Sequence, residues 1–150
     1  MRASFSGHTH FDDYRLLFDA GGTAIGLDKV VPAISPVYGQ NPGFQRIDYD
    51  RATGLPHDIE TWHLVNPGAP AAQATWRREY RFSEAYGRPY GAAPVAALWK
   101  SMLQGGPARE TYRRLYRLGN GEIAADAMTT HLCAVGHVDV AGFNACRCGR

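Results

Sequence analysis

Long apolar runs are missing from this 150-residue chain, and none of its hydrophobic stretches approaches the ~20 residues that a bilayer-spanning helix requires. A membrane helix is therefore not expected. Charge of one dominant sign is missing too. The 16 basic and 14 acidic residues leave a net +2, which gives no bulk electrostatic reason to expect a nucleic acid or another polyanion as partner. The first residues, Met1-Arg2-Ala3-Ser4-Phe5-Ser6-Gly7-His8, carry one cation and no apolar core, so no signal peptide is legible in them. Cysteine is scarce: Cys133, Cys146 and Cys148 all fall near the C-terminal end. One disulfide with a spare thiol and three reduced thiols both fit that count. Internal repeats and a βαβ alternation are likewise missing, and strand signals come first with helix signals after them, which points to an α+β order.

In the first half the apolar run Tyr14-Arg15-Leu16-Leu17-Phe18 is closed by Asp19-Ala20-Gly21-Gly22, a strand followed by a turn. Lys29-Val30-Val31-Pro32-Ala33-Ile34 reads as a second strand, with Pro32 placing it at an edge or a bulge. After the turn signal Asn41-Pro42-Gly43, the runs Phe44–Tyr49 and Ile59–Val65 flank a loop containing Thr53-Gly54-Leu55-Pro56, which predicts an antiparallel hairpin. Past Asn66-Pro67-Gly68 the period becomes helical. Residues 69–74 read as a linker or a loose helix start, and 76–86 as a helix with Trp76 and Tyr80 near one face. Val95, Leu98, Trp99, Met102 and Leu103 form the apolar stripe of the next helix, ended by Gly105-Gly106-Pro107. A third helix over 108–118 is expected to bury Tyr112, Leu115 and Tyr116, with Glu110 and Arg114 paired outside. A last one runs from about 123 to 135 with Ile123, Met128, Leu132 and Val135 inward.

Gly7-His8-Thr9-His10 is the cluster with metal-ligand character. Imidazole nitrogens suit zinc and similar ions, and two histidines separated by one residue can reach two adjacent ions. Gly7 permits close backbone approach, and Asp12, with Asp13 beside it, is placed to accept the distal N–H of a ligating ring and fix its tautomer. His57 and His63 read as solvated strand positions, and His137-Val138-Asp139 as surface in a tail. The stretches 77–81 and 112–117 read as helices with cationic outer faces rather than as a nucleic-acid surface; weak contact with anionic headgroups is compatible with them.

Gly7-His8-Thr9-His10-Phe11-Asp12 resembles the final metal-binding motif of the calcineurin-like metallophosphoesterases, in the GHTH-x-D form of the acid sphingomyelinase-like phosphodiesterases. The resemblance continues in order. It takes in Pro32-Ala33-Ile34-Ser35-Pro36, then Gly39-Gln40-Asn41-Pro42-Gly43-Phe44, then His57-Asp58-Ile59-Glu60-Thr61-Trp62, similar to an "LDHETY" strand with Ile59 in place of the usual His. It goes on through Trp76-Arg77-Arg78-Glu79-Tyr80 to Glu84-Ala85-Tyr86-Gly87, similar to a "W-x-x-x-Y … EAYG" helix, and Leu132-Cys133 and Cys146 are spaced like the last disulfide pair of that family's C-terminal subdomain.

That resemblance implies an α+β fragment of an α/β metallophosphoesterase sandwich. Strands over about 11–65 would be followed by a helical C-terminal subdomain over about 70–135. The corresponding division is residues 1–66, closing the metallophosphoesterase domain, and 67–150, the helical subdomain. It implies that His8 and His10 each bind one of two divalent metal ions, zinc in the first instance, that Asp12 supports them, and that the ions activate a hydroxide for attack on a phosphodiester. It also implies a Cys133–Cys146 disulfide and a secreted or periplasmic setting. The family's other ligand motifs, DxH, GDxxD, GNH(D/E) and a lone His, precede GHTH and do not occur in this sequence. The implied partners are thus a phosphodiester small molecule or phospholipid headgroup and a missing N-terminal metallophosphoesterase portion. The alternative is a non-catalytic binding or structural module.

Overall fold

A computed structural model describes residues 3–149. Within them the order is β1 (Ala3–Ser6), β2 (Asp13–Phe18), β3 (Ala24–Val30), β4 (Gly43–Tyr49), β5 (Pro56–Leu64), β6 (Trp76–Arg81), α1 (Phe82–Tyr86), α2 (Ala92–Leu103), α3 (Pro107–Leu115), α4 (Met128–Gly136) and α5 (Val140–Cys148). Two three-stranded sheets result, β1-β3-β2 and β4-β5-β6, so the class is α+β.

In the first sheet a tight turn joins β2 to β3. The Asp19 carboxylate accepts from Gly21 N at 3.0 Å and Thr23 N at 2.8 Å, and Gly22 takes φ 79°, a conformation that favours glycine. The turn brings Ala24 opposite Phe18 and Val30 opposite Asp13. The second strand therefore spans 24–30 and not 29–34 as the sequence suggested: the turn fixes the register, and Pro32, without a donor, falls beyond the ladder. β1 lies parallel to β3, with Ala3 opposite Leu27 and Ser6 opposite Val30.

The second sheet contains the expected hairpin, with Gly43 opposite His63 and Ile47 opposite Ile59. A Cβ on Gly43 would stand 2.2 Å from Leu118 Cδ2 and 3.1 Å from Trp62 O, so a larger residue here would have to displace buried Leu118. The expected helix over 76–86 is a strand for its first six residues. Thr61 pairs with Tyr80 but Trp62 with Arg78, so Glu79 is an extra residue on β6. Such a bulge switches the faces: Trp76 and Arg78 share the outer side with Trp62, and Tyr80 turns inward with Thr61. Strand β6 continues the second sheet after the connection that follows Leu64.

Helix α2 buries Val95, Leu98, Trp99 and Met102 at helical spacing, while Leu103 is exposed. Along α3, Tyr112 and Leu115 are buried, and Tyr116 just after it is too. Glu110 pairs with Arg113 at 2.9 Å, one residue short of the expected Arg114. The last expected helix starts later, at Met128, and buried Ile123 sits in the loop before it. Residues 140–148, read as tail, form α5, whose N-terminus is capped by Asp139 accepting from Gly142 N at 2.7 Å. Tyr14, Leu16 and Leu27 from the first sheet, Ile59 and Tyr80 from the second, and Val95, Leu98, Met102, Tyr112, Met128 and Leu132 from the helical part belong to one buried cluster. Strands and helices thus share a core.

Candidate metal-ligating loop

Gly7 to Asp12 link β1 to β2. Three backbone bonds set this loop's course. Ala33 N donates to His10 O at 3.2 Å, Asp12 N to Tyr116 O at 3.2 Å, and, within the loop, Thr9 N to Gly7 O at 2.9 Å. His8 and His10 both adopt positive φ, 73° and 66°. Left-handed backbone at a side-chain-bearing residue costs on the order of 1–3 kcal/mol, and it persists only where surrounding structure enforces it. Two such residues within three positions make this the most strained stretch of backbone among the described residues.

His8 is exposed and His10 half-buried, with its ring edge-on to Tyr38 at 5.0 Å between centroids. The Nδ1 of His10 and the hydroxyl of Thr9 are buried and have no hydrogen-bond partner among the described residues. A buried imidazole nitrogen without a protein partner is unfavourable unless something else takes its lone pair or proton, and that is the situation a metal ligand fits. Among the described residues no group of three or more His, Cys, Asp or Glu is placed to hold one ion. The unpartnered nitrogen of His10 is compatible with one ligand of a larger set, while His8 on the same loop is open to solvent.

The carboxylates that follow are structural anchors. Asp12 was expected to accept from a ligating imidazole, yet none of its recorded partners is a histidine. Its Oδ1 is paired with the Lys29 ammonium. Its Oδ2 accepts from the Thr61 hydroxyl at 2.8 Å, the Tyr80 phenol at 2.9 Å and, at 3.4 Å, the Gln45 amide. These donors occupy it because Asp12 is buried at the junction of the sheets, where Lys29 is 0% exposed. Lys29 also donates to Asp13 O at 2.8 Å and Val30 O at 3.0 Å. Asp13 accepts from the Tyr112 phenol at 2.5 Å and from Arg15 at 2.6 Å. Burial and the charge of Asp12 hold the Tyr80 phenol well above its ordinary pKa, so it stays a donor.

His63 departs from its expected solvated setting: it is buried on the inner face of β5 with its Nδ1 against the Glu79 carboxylate. Burial raises the Glu79 carboxyl above its ordinary range, against the opposing pull of His63. His57 is exposed, as read from sequence. His137 is half-buried with its ring against Trp99 at 5.8 Å, in the connection between α4 and α5, a helix absent from the sequence reading. Cys133 and Cys146 form a disulfide joining α4 to α5, and Cys148 is a free, exposed thiol. Lys29, Thr61 and Tyr80 escaped the sequence reading. The signal available was a lysine inside a strand near a pair of adjacent aspartates, a combination that calls for a buried ion pair.

No family model matches this chain. Among curated relatives, human acid sphingomyelinase-like phosphodiesterase 3b is 30% identical over 162 aligned residues, covering 97% of this chain and 35% of that protein. Human sphingomyelin phosphodiesterase is 30% identical over 111 residues, 69% of this chain and 17% of that protein. The rat cyclic GMP-AMP phosphodiesterase is 31% identical over 94 residues, 58% of this chain and 21% of that protein. The chain therefore spans about a third or less of the length of the relatives it matches.

Proposed function

This chain belongs with the acid sphingomyelinase-like phosphodiesterases of the metallophosphoesterase superfamily and corresponds to their C-terminal part, and from that premise we propose that it supplies the last metal-ligating loop of a phosphodiesterase. The observation that carries this reading is His10. Its Nδ1 is buried without a partner among the described residues, on a GHTH-x-D loop held in left-handed backbone.

In this reading His8 and His10 each contribute one imidazole to a pair of divalent ions, zinc by the character of the donors. Two such ions, when bound, activate water for in-line attack on phosphorus and offset charge on the leaving oxygen. The protein's part is to present both rings from one loop and to half-bury His10 beside Tyr38. The remaining donors come from a portion bearing the DxH, GDxxD and GNH motifs, and without it the chain does not turn over. The substrate is a phosphodiester; names of relatives cover sphingomyelin and cyclic GMP-AMP, so lipid headgroup and nucleotide esters are both to be tried. The Cys133–Cys146 disulfide supports residence in an oxidising, exported setting. Among the described residues, no helix is long and apolar enough to cross a membrane.

The test is complementation. The chain, joined to or mixed with a portion carrying the upstream motifs, should gain metal-dependent hydrolysis of bis(p-nitrophenyl) phosphate. Failure of every such pairing, with both parts folded and metal supplied, would favour the non-catalytic module.

A further inference from the structure

Resting on the reading of His8 and His10 as ligands, we propose that Thr61 and Tyr80, with Lys29, are positioning residues for the histidine loop, acting through Asp12. The four donors on the Asp12 carboxylate come from four different strands: Lys29 from β3, Gln45 from β4, Thr61 from β5 and Tyr80 from β6. One buried carboxylate at the end of the loop is thereby fixed to the first sheet on one oxygen and to the second sheet on the other.

This geometry has a consequence two residues upstream. His10 is held in left-handed backbone, and its carbonyl is tied to Ala33 N. The loop's end at Asp12 is tied by its N–H to Tyr116 O at 3.2 Å and by its side chain to the sheets. Strained backbone relaxes when a restraint is removed, so the rings keep their orientation only while the restraint at Asp12 holds. The donors are themselves ordered. Gln45 donates to the Thr61 oxygen at 2.9 Å, Tyr14 and Tyr80 share a bond at 3.1 Å, and the Lys29 ammonium lies 4.3 Å from the centre of the Tyr14 ring. A connected and satisfied network of this kind fixes one arrangement. The bulge at Glu79 belongs to the same device, because it turns Tyr80 inward to reach Asp12.

The experiment uses the 15N-histidine-labelled chain, with Zn2+ titrated in while the His8 and His10 ring resonances are followed. Thr61→Val and Tyr80→Phe each delete one donor at nearly constant shape. Both should displace the His10 ring resonances before any metal is added and weaken Zn2+ binding several-fold. Trp99→Phe, which removes a buried bond to Leu132 O at 2.7 Å away from the loop, should lower stability and leave both readings unchanged. Unmoved rings and unchanged Zn2+ affinity in folded Thr61→Val and Tyr80→Phe would overturn the inference. Zn2+ binding that survives His8→Ala and His10→Ala would instead overturn the ligand reading; the metal-free ring resonances then still decide whether the network positions the loop.

Discussion

Replacing Asp12 by alanine should be among the most damaging single changes in this chain. Lys29 is 0% exposed and is paired with Asp12, itself 3% exposed. Deleting the carboxylate leaves an ammonium in the core with two backbone carbonyls, Asp13 O and Val30 O, as its remaining recorded partners. It also strands the Thr61 and Tyr80 hydroxyls. Breaking a buried pair from one side costs about 3–5 kcal/mol, chiefly because the other charge stays buried. For a chain of this size each kcal/mol lowers Tm by roughly 2–4 °C, so Asp12→Ala should melt roughly 6–20 °C below the parent. Removing the ammonium as well, in Asp12→Ala/Lys29→Met, eliminates the uncompensated charge. Its loss should be smaller than that of Asp12→Ala alone, a coupling expected of direct contacts. Calorimetric or circular-dichroism melts of the four members of this cycle provide the assay. A loss below about 1 kcal/mol for Asp12→Ala, or strictly additive effects, would refute the assignment of Asp12–Lys29 as a buried, mutually compensating pair.

Further outcomes follow from the same structure. The isolated chain should show negligible hydrolysis of bis(p-nitrophenyl) phosphate, since two imidazoles do not complete a two-ion site; metal-dependent turnover lost on His8→Ala or His10→Ala would contradict this. Protein from an oxidising compartment should give a Cys133–Cys146 peptide on non-reducing mapping, and Cys133→Ser/Cys146→Ser should lose roughly 3 kcal/mol by the chain-entropy argument for a loop of this length. A Cys133–Cys148 peptide, or three free thiols, would contradict the pairing. Burial lowers the pKa of His131, packed against Tyr116 at 4.7 Å. The folded chain therefore favours the neutral ring: this contribution is full above the unfolded value of about 6.5 and is lost as pH falls through the lower folded value. His131→Asn should flatten that part of the Tm-versus-pH curve, and an unchanged slope would count against it.

What the sequence made legible, and what it hid, has a physical pattern. The β4–β5 hairpin was readable because alternation and turn chemistry agree there. β6 was not, because the bulge at Glu79 breaks the alternation, and Trp76 and Tyr80, four apart, mimic one face of a helix. The histidine loop was readable as residue types, and its left-handed backbone was not, since φ depends on restraints from Ala33 and Tyr116 distant in sequence. Asp12 was picked out, but its partners lie 17, 33, 49 and 68 residues away, and no local pattern encodes such a meeting. His63 read as solvated because a histidine between Trp62 and Leu64 fits either face; only the register against Arg77 and the approach of Glu79 put it inside. α5 was missed for want of an apolar stripe: it buries no residue and is held by its cap and the disulfide.

The most direct measurement is the metal content and turnover of the chain complemented by the motif-bearing portion, compared among His8→Ala, His10→Ala, Asp12→Ala, His57→Ala and His137→Ala. Each of the first two should lose about one ion per site and fall by orders of magnitude in rate, since the two ions act together on nucleophile and leaving oxygen. Asp12→Ala, which releases the loop's anchor and not a ring's own partner, should fall between these and the parent, while His57→Ala and His137→Ala stay near the parent. Full occupancy and full rate in His8→Ala or His10→Ala would contradict the claim that this loop ligates the metals of a phosphodiesterase.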